Sequence, residues 1–433
     1  MITISRAHKI KLDLNPEQLA YCAKSAGVAR FAYNWALAQW KIQYQQFKDG
    51  TLDKAPSEGE LRKLFNQHKK LDVPAYFLVL SPESQRNYFP WVTEVSKYCP
   101  QEAIRNLGKA FAKFFKGTAK YPQFKKRGVH DSFYLGNDAV KIIEQDNQQY
   151  LKVPNLKEPL LLREKLRFKG KINNVVISRE ANRWFASISM EIQAPLKVSP
   201  NVDCGIDLGI KTLATIVDSN GNITSFANPK GYRKHLNRLK RLQRSLARKK
   251  KSSCNRRKAQ MKVARLHAHI KNIRKDNLHK LTTYVVTNFK HIYVEDLNVS
   301  GMLKNRKLSQ SIADLGISEL KRQLQYKAEM TASTIHEVDR FFPSSQLCSK
   351  CGTQNRELKL SERQWKCEFC GEIHDRDENA AKNLLNYQKF KKNLVPRGTG
   401  ELTLMERNHF SRVRWTIEKP LVEVRKTEIQ PSE

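Results

Sequence analysis

No run of about 18 apolar residues occurs in this 433-residue chain, which excludes an ordinary membrane-spanning helix. The opening stretch MITISRAHKIKLDL lacks the apolar core of a secretory signal, so a cytoplasmic protein without a membrane partner is expected. Acids are scarce: 42 Asp and Glu stand against 79 Lys and Arg, a formal charge of +37. A surplus of that size calls for a polyanionic partner, and with no membrane segment the favoured one is nucleic acid. Sequence repeats are absent, and there is no low-complexity run beyond one lysine tract. The hydrophobic fraction of 40% suffices for globular folding, and the length suggests about three domains.

Cysteine is also sparse, yet four of the eight are arranged. Cys348 and Cys351 lie in CSKCG and Cys367 and Cys370 in CEFCG, with 15 residues between the pairs. Two CxxC knuckles at this spacing point to a tetrahedral site for one structural Zn²⁺, each following Gly easing the turn. Two disulfides are the alternative, disfavoured where thiols stay reduced. Cys22, Cys99, Cys204 and Cys254 are scattered and read as packing or surface residues.

Along the chain, RAHKIKLDL alternates like a strand, and Asn15 with Pro16 marks a helix start. Helices are expected to about residue 117. In one, Ala103, Ile104, Leu107, Ala110, Phe111 and Phe114 share a face while Arg105, Lys109 and Lys113 recur on another. Tyr33, Leu37, Trp40 and Tyr44 also keep helical spacing, for core packing rather than base stacking. Residues 126–195 change to short alternating runs, including a hairpin turning near REANR. APLKVSPNVD reads as a linker. After it come three strands, the first carrying Asp207 and the last two joined by an SNGN turn. Lys230 to Lys280 then holds 20 Lys or Arg and one acid, Asp276; apolar residues at helical spacing on both sides of KKKSSCN predict an antiparallel helical hairpin with basic outer faces. KHIYVEDLNVSG reads as a strand ending in Glu295 and Asp296, followed by a helix, a strand, the cysteine knuckles and a last helix near Asp377.

In EIHDRDENAAKNLL, carboxylates stand directly before a small-residue helix. Capping is one role, since an Asp there accepts from free backbone N–H groups. The other is metal ligation, which needs distant partners, and Asp207 and Glu295 are the candidates. The order strand, strand, strand, helices, strand, helix, strand, helix resembles an RNase H-like fold, in which acids sit on the first strand, at the end of the fourth and on the last helix. Here those places hold Asp207, Glu295 and Asp377, with Asp375 as the fallback for the third. Hard oxygen donors of this kind suit two Mg²⁺ ions, with Mn²⁺ as a substitute. Asn379 and Asn383 share a helix face, where helix-to-sheet packing is expected and hydrogen bonding around the site is the alternative.

GIDLGIKTLAT, IYVEDLNVSGM, FFPSSQLCSKCG and WKCEFCGEIHDRDENAAKNL resemble the RuvC and zinc-ribbon blocks of TnpB, nucleases of small insertion sequences related to compact type V CRISPR effectors. NPEQLAYCAKSAGVARFAYNWAL and QEAIRNLGKAFAKFFKGTAKYPQFKKRG are similar to that family's N-terminal helical region. The resemblance implies a multidomain α+β protein. Its parts would be an N-terminal strand plus helical recognition domain (1–125), a small β-barrel-like wedge (126–195) and a RuvC-like nuclease domain (196–343 and 373–390) interrupted by a zinc ribbon (344–372); the tail (391–433), beyond the resemblance, has weak periodicity and is expected to be disordered. It further implies a monomeric ribonucleoprotein whose guide RNA and target DNA pair with each other, and which cuts DNA with Asp207, Glu295 and Asp377. Three rivals remain: an actin-like ATPase, which also opens on GIDLG but lacks a second phosphate loop here; a non-cleaving RNA-guided binder; and a DNA-joining transposase.

Overall fold

The computed structural model describes residues 2–70, 89–194, 199–359 and 361–394. Part of the expected helical stretch (71–88), part of the linker (195–198) and the tail from 395 onward lie outside the described residues. The chain divides into two compact units, Met1–Leu385 and Asn386–Glu433.

In the first unit, β1 (Ile2–Asp13) is followed by helices α1 (Pro16–Lys48), α2 (Glu58–Lys70) and α3 (Tyr98–Phe115). The α1 start is a capping box: Asn15 Oδ1 accepts from the Gln18 backbone at 2.8 Å, and Gln18 Oε1 accepts from the Asn15 backbone at 3.0 Å. Tyr33, Leu37 and Trp40 are buried as their spacing predicts, Trp40 lying stacked 4.1 Å from Phe111 of α3, whereas Tyr44 is exposed. Strands β2 (Ser132–Gly136), β3 (Lys141–Gln145), β4 (Gln148–Lys152), β5 (Leu160–Leu162), β6 (Lys171–Glu180) and β7 (Arg183–Ala194) follow. The hairpin between β6 and β7 turns at Ala181 and Asn182, both at positive φ.

The first strand does not belong with the helices that follow it. Ile2 through Lys11 pair antiparallel with β7, and Leu12 and Asp13 pair with β5, placing β1 inside a seven-stranded sheet of order β2-β6-β7-β1-β5-β4-β3. The helices are an excursion between β1 and the sheet's other strands. His8, Ile10 and Leu12 alternate inward, but alternation reveals a strand without naming its partner.

Next come β8 (Cys204–Asp207), β9 (Thr212–Asp218) and β10 (Ile223–Ala227). Helices α4 (Gly231–Ala247) and α5 (Cys254–Asn288) form the basic hairpin, closed by a narrow seam of Leu239, Leu266 and Ile270. Then follow β11 (His291–Glu295), short helices α6 (Val299–Met302) and α7 (Ser309–Leu315), α8 (Ile317–Thr331) and β12 (Thr334–Val338). The five strands order as β10-β9-β8-β11-β12, with β11 parallel to both β8 and β12. Cys204, Ile206 and Ile292 pack with Leu281, Val285, Leu320 and Leu324 of α5 and α8 in one core. Strands β13 (Gln364–Lys366) and β14 (Ile373–Asp375) pair with each other ahead of α9 (Arg376–Leu385). The second unit opens with α10 (Tyr387–Leu394).

Candidate active site and cysteine centre

Asp207 is the last residue of β8 and Glu295 the last of β11. The two strands run parallel with Ile206 opposite Val294, so both acids take the next register position. Neighbouring strands lie about 4.8 Å apart and side chains alternate, so Asp207 and Glu295 leave the sheet side by side on one face. Cys204 and Ile206 face the core with α5 and α8; Gly205 and Asp207 therefore face the other way, toward α9. That helix lies directly on the strand: a Cβ on Gly205 would stand 2.1 Å from the Ala381 carbonyl and 2.5 Å from the Leu385 nitrogen. The small buried residues Ala380 and Ala381 complete this close approach.

The two acids at the start of α9 have separate roles. Asp375 Oδ1 accepts from the backbone of Asp377 at 3.0 Å and of Glu378 at 3.2 Å, which makes it the helix cap. Asp377 lies near enough to Asp207 to act on its ionisation. The Asp207 carboxyl is pushed well above the usual aspartate range by removal from water first, then by the charges of Glu295 and Asp377. Burial also raises Glu295, opposed by a hydrogen bond from Ser344 Oγ. Arg363 Nη1 lies 3.1 Å from Asp377 Oδ1. Asp296, beside Glu295 in sequence, is instead bound by Lys321 at 2.8 Å and by Arg340, which hold its carboxyl below the ordinary range.

Among the described residues, the four cysteines form the one His/Cys/Asp/Glu group close enough to share a metal ion, with ligand atoms all within 4.8 Å of one another; the three carboxylates do not form such a group. Their chemistry still fits a divalent cation: hard oxygens, partly desolvated, with mutual repulsion that a cation would relieve.

The cysteine cluster fits a structural zinc ribbon. Cys348 and Cys370 sulfurs are 3.6 Å apart, as are those of Cys351 and Cys367. Four Zn–S bonds of about 2.3 Å in a tetrahedron put sulfurs about 3.8 Å apart, whereas a disulfide needs about 2.05 Å. All four are free thiols, which removes the disulfide alternative. His374 adds a contact that spacing alone did not single out: its Nε2 is 3.0 Å from Cys348 Sγ, and its ring packs on Trp365.

Asn379 and Asn383 do not serve as plain helix-to-sheet packing. Asn379 accepts from the Ser349 backbone at 2.9 Å and donates to the Leu347 carbonyl at 2.6 Å. Asn383, fully buried, donates to the carbonyls of Ser344 and Leu347 at 2.7 Å each. Both therefore hold the loop leading into the first knuckle, and through Ser344 that loop reaches Glu295. The motif FFPSSQLC contained this serine, but nothing local marks it as the partner of a strand 49 residues away.

A family profile described as "Probable transposase" (OrfB_IS605) matches residues 187–306, "Cas12f1-like, TNB domain" matches 318–384, and "Helix-turn-helix domain" matches 1–49. The last label does not describe the segment's form, since Pro16–Lys48 is one continuous helix after a strand. A Streptomyces pristinaespiralis protein named "Putative RNA-guided DNA endonuclease" is 35% identical over 388 residues, 89% of this chain and 90% of its own. InsQ of Escherichia coli K12, with the same description, is 31% identical over 88% of this chain and 92% of its own. A solved Cas12f1 complex with guide RNA and target DNA shares the fold, with a TM-score of 0.52 at 14% identity over 89% of this chain and 99% of that one. With more than a third of residues shared along nearly all of both chains, the protein belongs to the TnpB family, the OrfB group of IS605-type insertion sequences.

Proposed function

We propose that this chain is an RNA-guided DNA endonuclease whose RNase H-like, RuvC-type site is Asp207, Glu295 and Asp377. The observation that carries the reading is convergence: acids from two adjacent parallel strands and the helix packed on them meet, with burial and then the charges of Glu295 and Asp377 pushing the Asp207 carboxyl up. The names of the relatives add guide RNA and target DNA as partners. Asp207, Glu295 and Asp377 would hold two Mg²⁺ ions, or Mn²⁺ in their place, and such ions supply an activated water and a stabilised leaving oxygen for phosphodiester hydrolysis. Ser344 fixes the Glu295 carboxylate. Arg363 and Arg376 bring positive charge to the same edge, where the scissile strand's phosphates would lie.

The ribbon would carry one structural Zn²⁺ on Cys348, Cys351, Cys367 and Cys370. The α4–α5 hairpin, with 20 basic residues from Lys230 to Lys280 against Asp276, would hold nucleic-acid backbone by charge, leaving sequence choice to base pairing. A monomeric ribonucleoprotein is the working form this implies.

The test is to purify the protein from cells carrying its native locus, sequence the retained RNA, and challenge the complex in Mg²⁺ with DNA matching that RNA beside randomised flanks. Cleavage confined to matched DNA with a shared flank is expected. RNA-independent cutting, or products with joined instead of hydrolysed ends, would replace this reading by the transposase one.

A further inference from the structure

Fifteen residues from Lys113 to Arg127, KFFKGTAKYPQFKKR, contain six Lys or Arg, four aromatics and no acid. The Lys125 ammonium packs 4.0 Å over the buried Tyr33 ring, and the other five cations are exposed. So are most of the rings: Phe115 is 62% exposed, Phe124 49% and Tyr121 37%. Scattered surface aromatics need no explanation, but these form one patch. Phe111 at the patch base, buried under Trp40, contacts Phe115 at 6.0 Å and Tyr121 at 5.5 Å, and Phe114 meets Tyr121 at 5.2 Å. From the end of α1, Lys41 lies 4.9 Å over the Phe124 ring and 5.9 Å from Tyr121, while exposed Tyr44 and Phe47 extend the surface.

We propose that the ends of α1 and α3 and the loop between α3 and β2 form a stacking platform for unpaired RNA nucleotides. Exposed rings interleaved with unopposed cations suit a polynucleotide whose bases are free to stack while lysines hold its phosphates. Duplex DNA keeps its bases inside the helix, whereas folded RNA presents loops and ends with splayed bases, so unpaired RNA is the better fit. The inference rests on the reading of the chain as an RNA-bound protein and goes beyond the carboxylate site and basic hairpin.

The test uses the full chain and fluorescence anisotropy with labelled oligo-uridine, oligo-thymidine and a short DNA duplex. Phe124→Ala with Tyr121→Ala is expected to weaken oligo-uridine binding on the order of tenfold or more, the scale of base–ring stacking, with the salt slope unchanged. Duplex binding should change less than about threefold. Phe124→Ala alone guards against misfolding, because that ring is half exposed, and a smaller loss in the same direction is expected. Unchanged oligo-uridine affinity in both variants overturns the proposal. So does an equal loss on the duplex, which would make this a charge surface, or a loss confined to oligo-thymidine. A parent protein that binds no RNA at all would instead remove the reading beneath it.

Discussion

Ser344 donates its hydroxyl hydrogen to Glu295 Oε1, while its own carbonyl accepts from Asn383 of α9 at 2.7 Å. Helix α9 thereby touches all three acids: it carries Asp377, lies against β8 two residues before Asp207, and sets Glu295 through the serine.

Replacing Ser344 by Ala is expected to leave the fold intact and to raise the Mn²⁺ concentration for half-saturation. Hydrogen bonds to charged groups contribute about 1.5–3 kcal/mol, of which a part should appear as a roughly 3- to 10-fold shift. Calorimetric Mn²⁺ titration of the full chain checks this. Ser344→Thr keeps a hydroxyl and should restore most of the affinity; an Ala variant that titrates like the parent would show that the contact does not position Glu295.

Gly205→Ala meets helix backbone, which no rotamer change can move aside. Pushing α9 off the sheet should cost about 1–3 kcal/mol or more and separate Asp377 from the other acids. A lowered melting temperature together with weakened Mn²⁺ binding is expected, and a variant matching the parent in both would contradict the close packing.

Burial and neighbouring charge raise the Asp207 pKa, so the folded chain holds this proton more tightly than the unfolded chain. Such a group lowers stability as pH rises above the ordinary aspartate range. In EDTA, Asp207→Asn should therefore melt higher than the parent at pH 7, with the gap narrowing as pH falls toward 4. Added Mg²⁺ should raise the parent's melting temperature and not the variant's. Melting curves with the opposite order would mean that burial and the neighbouring charges do not raise the Asp207 carboxyl.

Much of this architecture was legible because the informative signals are local. CxxC spacing, the Asn15–Pro16 helix start and the REANR and SNGN turns each follow from a few neighbouring residues. The order of elements then singled out Asp207, Glu295 and Asp377 as candidates, and the structure sets the first two at the ends of adjacent strands and the third in the first turn of α9. What escaped depends on contacts between distant segments: β1 pairing with β7, Ser344 reaching Glu295, Asn379 and Asn383 clamping the ribbon loop, and His374 meeting Cys348. The ambiguity between Asp375 and Asp377 was of this kind too. Composition allows both as cap or ligand; the structure shows Asp375 capping α9, and Asp377 stays the proposed ligand.

The ribbon's apolar cluster is small: Leu358, Trp365, Cys348 and Cys367, with Cys370 packed against them. A core of that size is expected to need a bound metal to hold its fold. One zinc per chain is expected by elemental analysis, and chelation should change Trp365 emission and loosen the loop that carries Ser344. Cys348→Ser should lose the zinc; undiminished zinc in that variant would count against the four-cysteine site.

The central claim is tested most directly by cleavage of matched DNA in Mg²⁺ by the RNA-loaded protein, comparing the parent with Asp207→Asn, Glu295→Gln and Asp377→Asn. Each substitution is nearly isosteric and should abolish cutting, by on the order of a hundredfold or more, while RNA-dependent DNA binding persists. Parental cutting rates in the Asp207 and Glu295 variants would contradict the account.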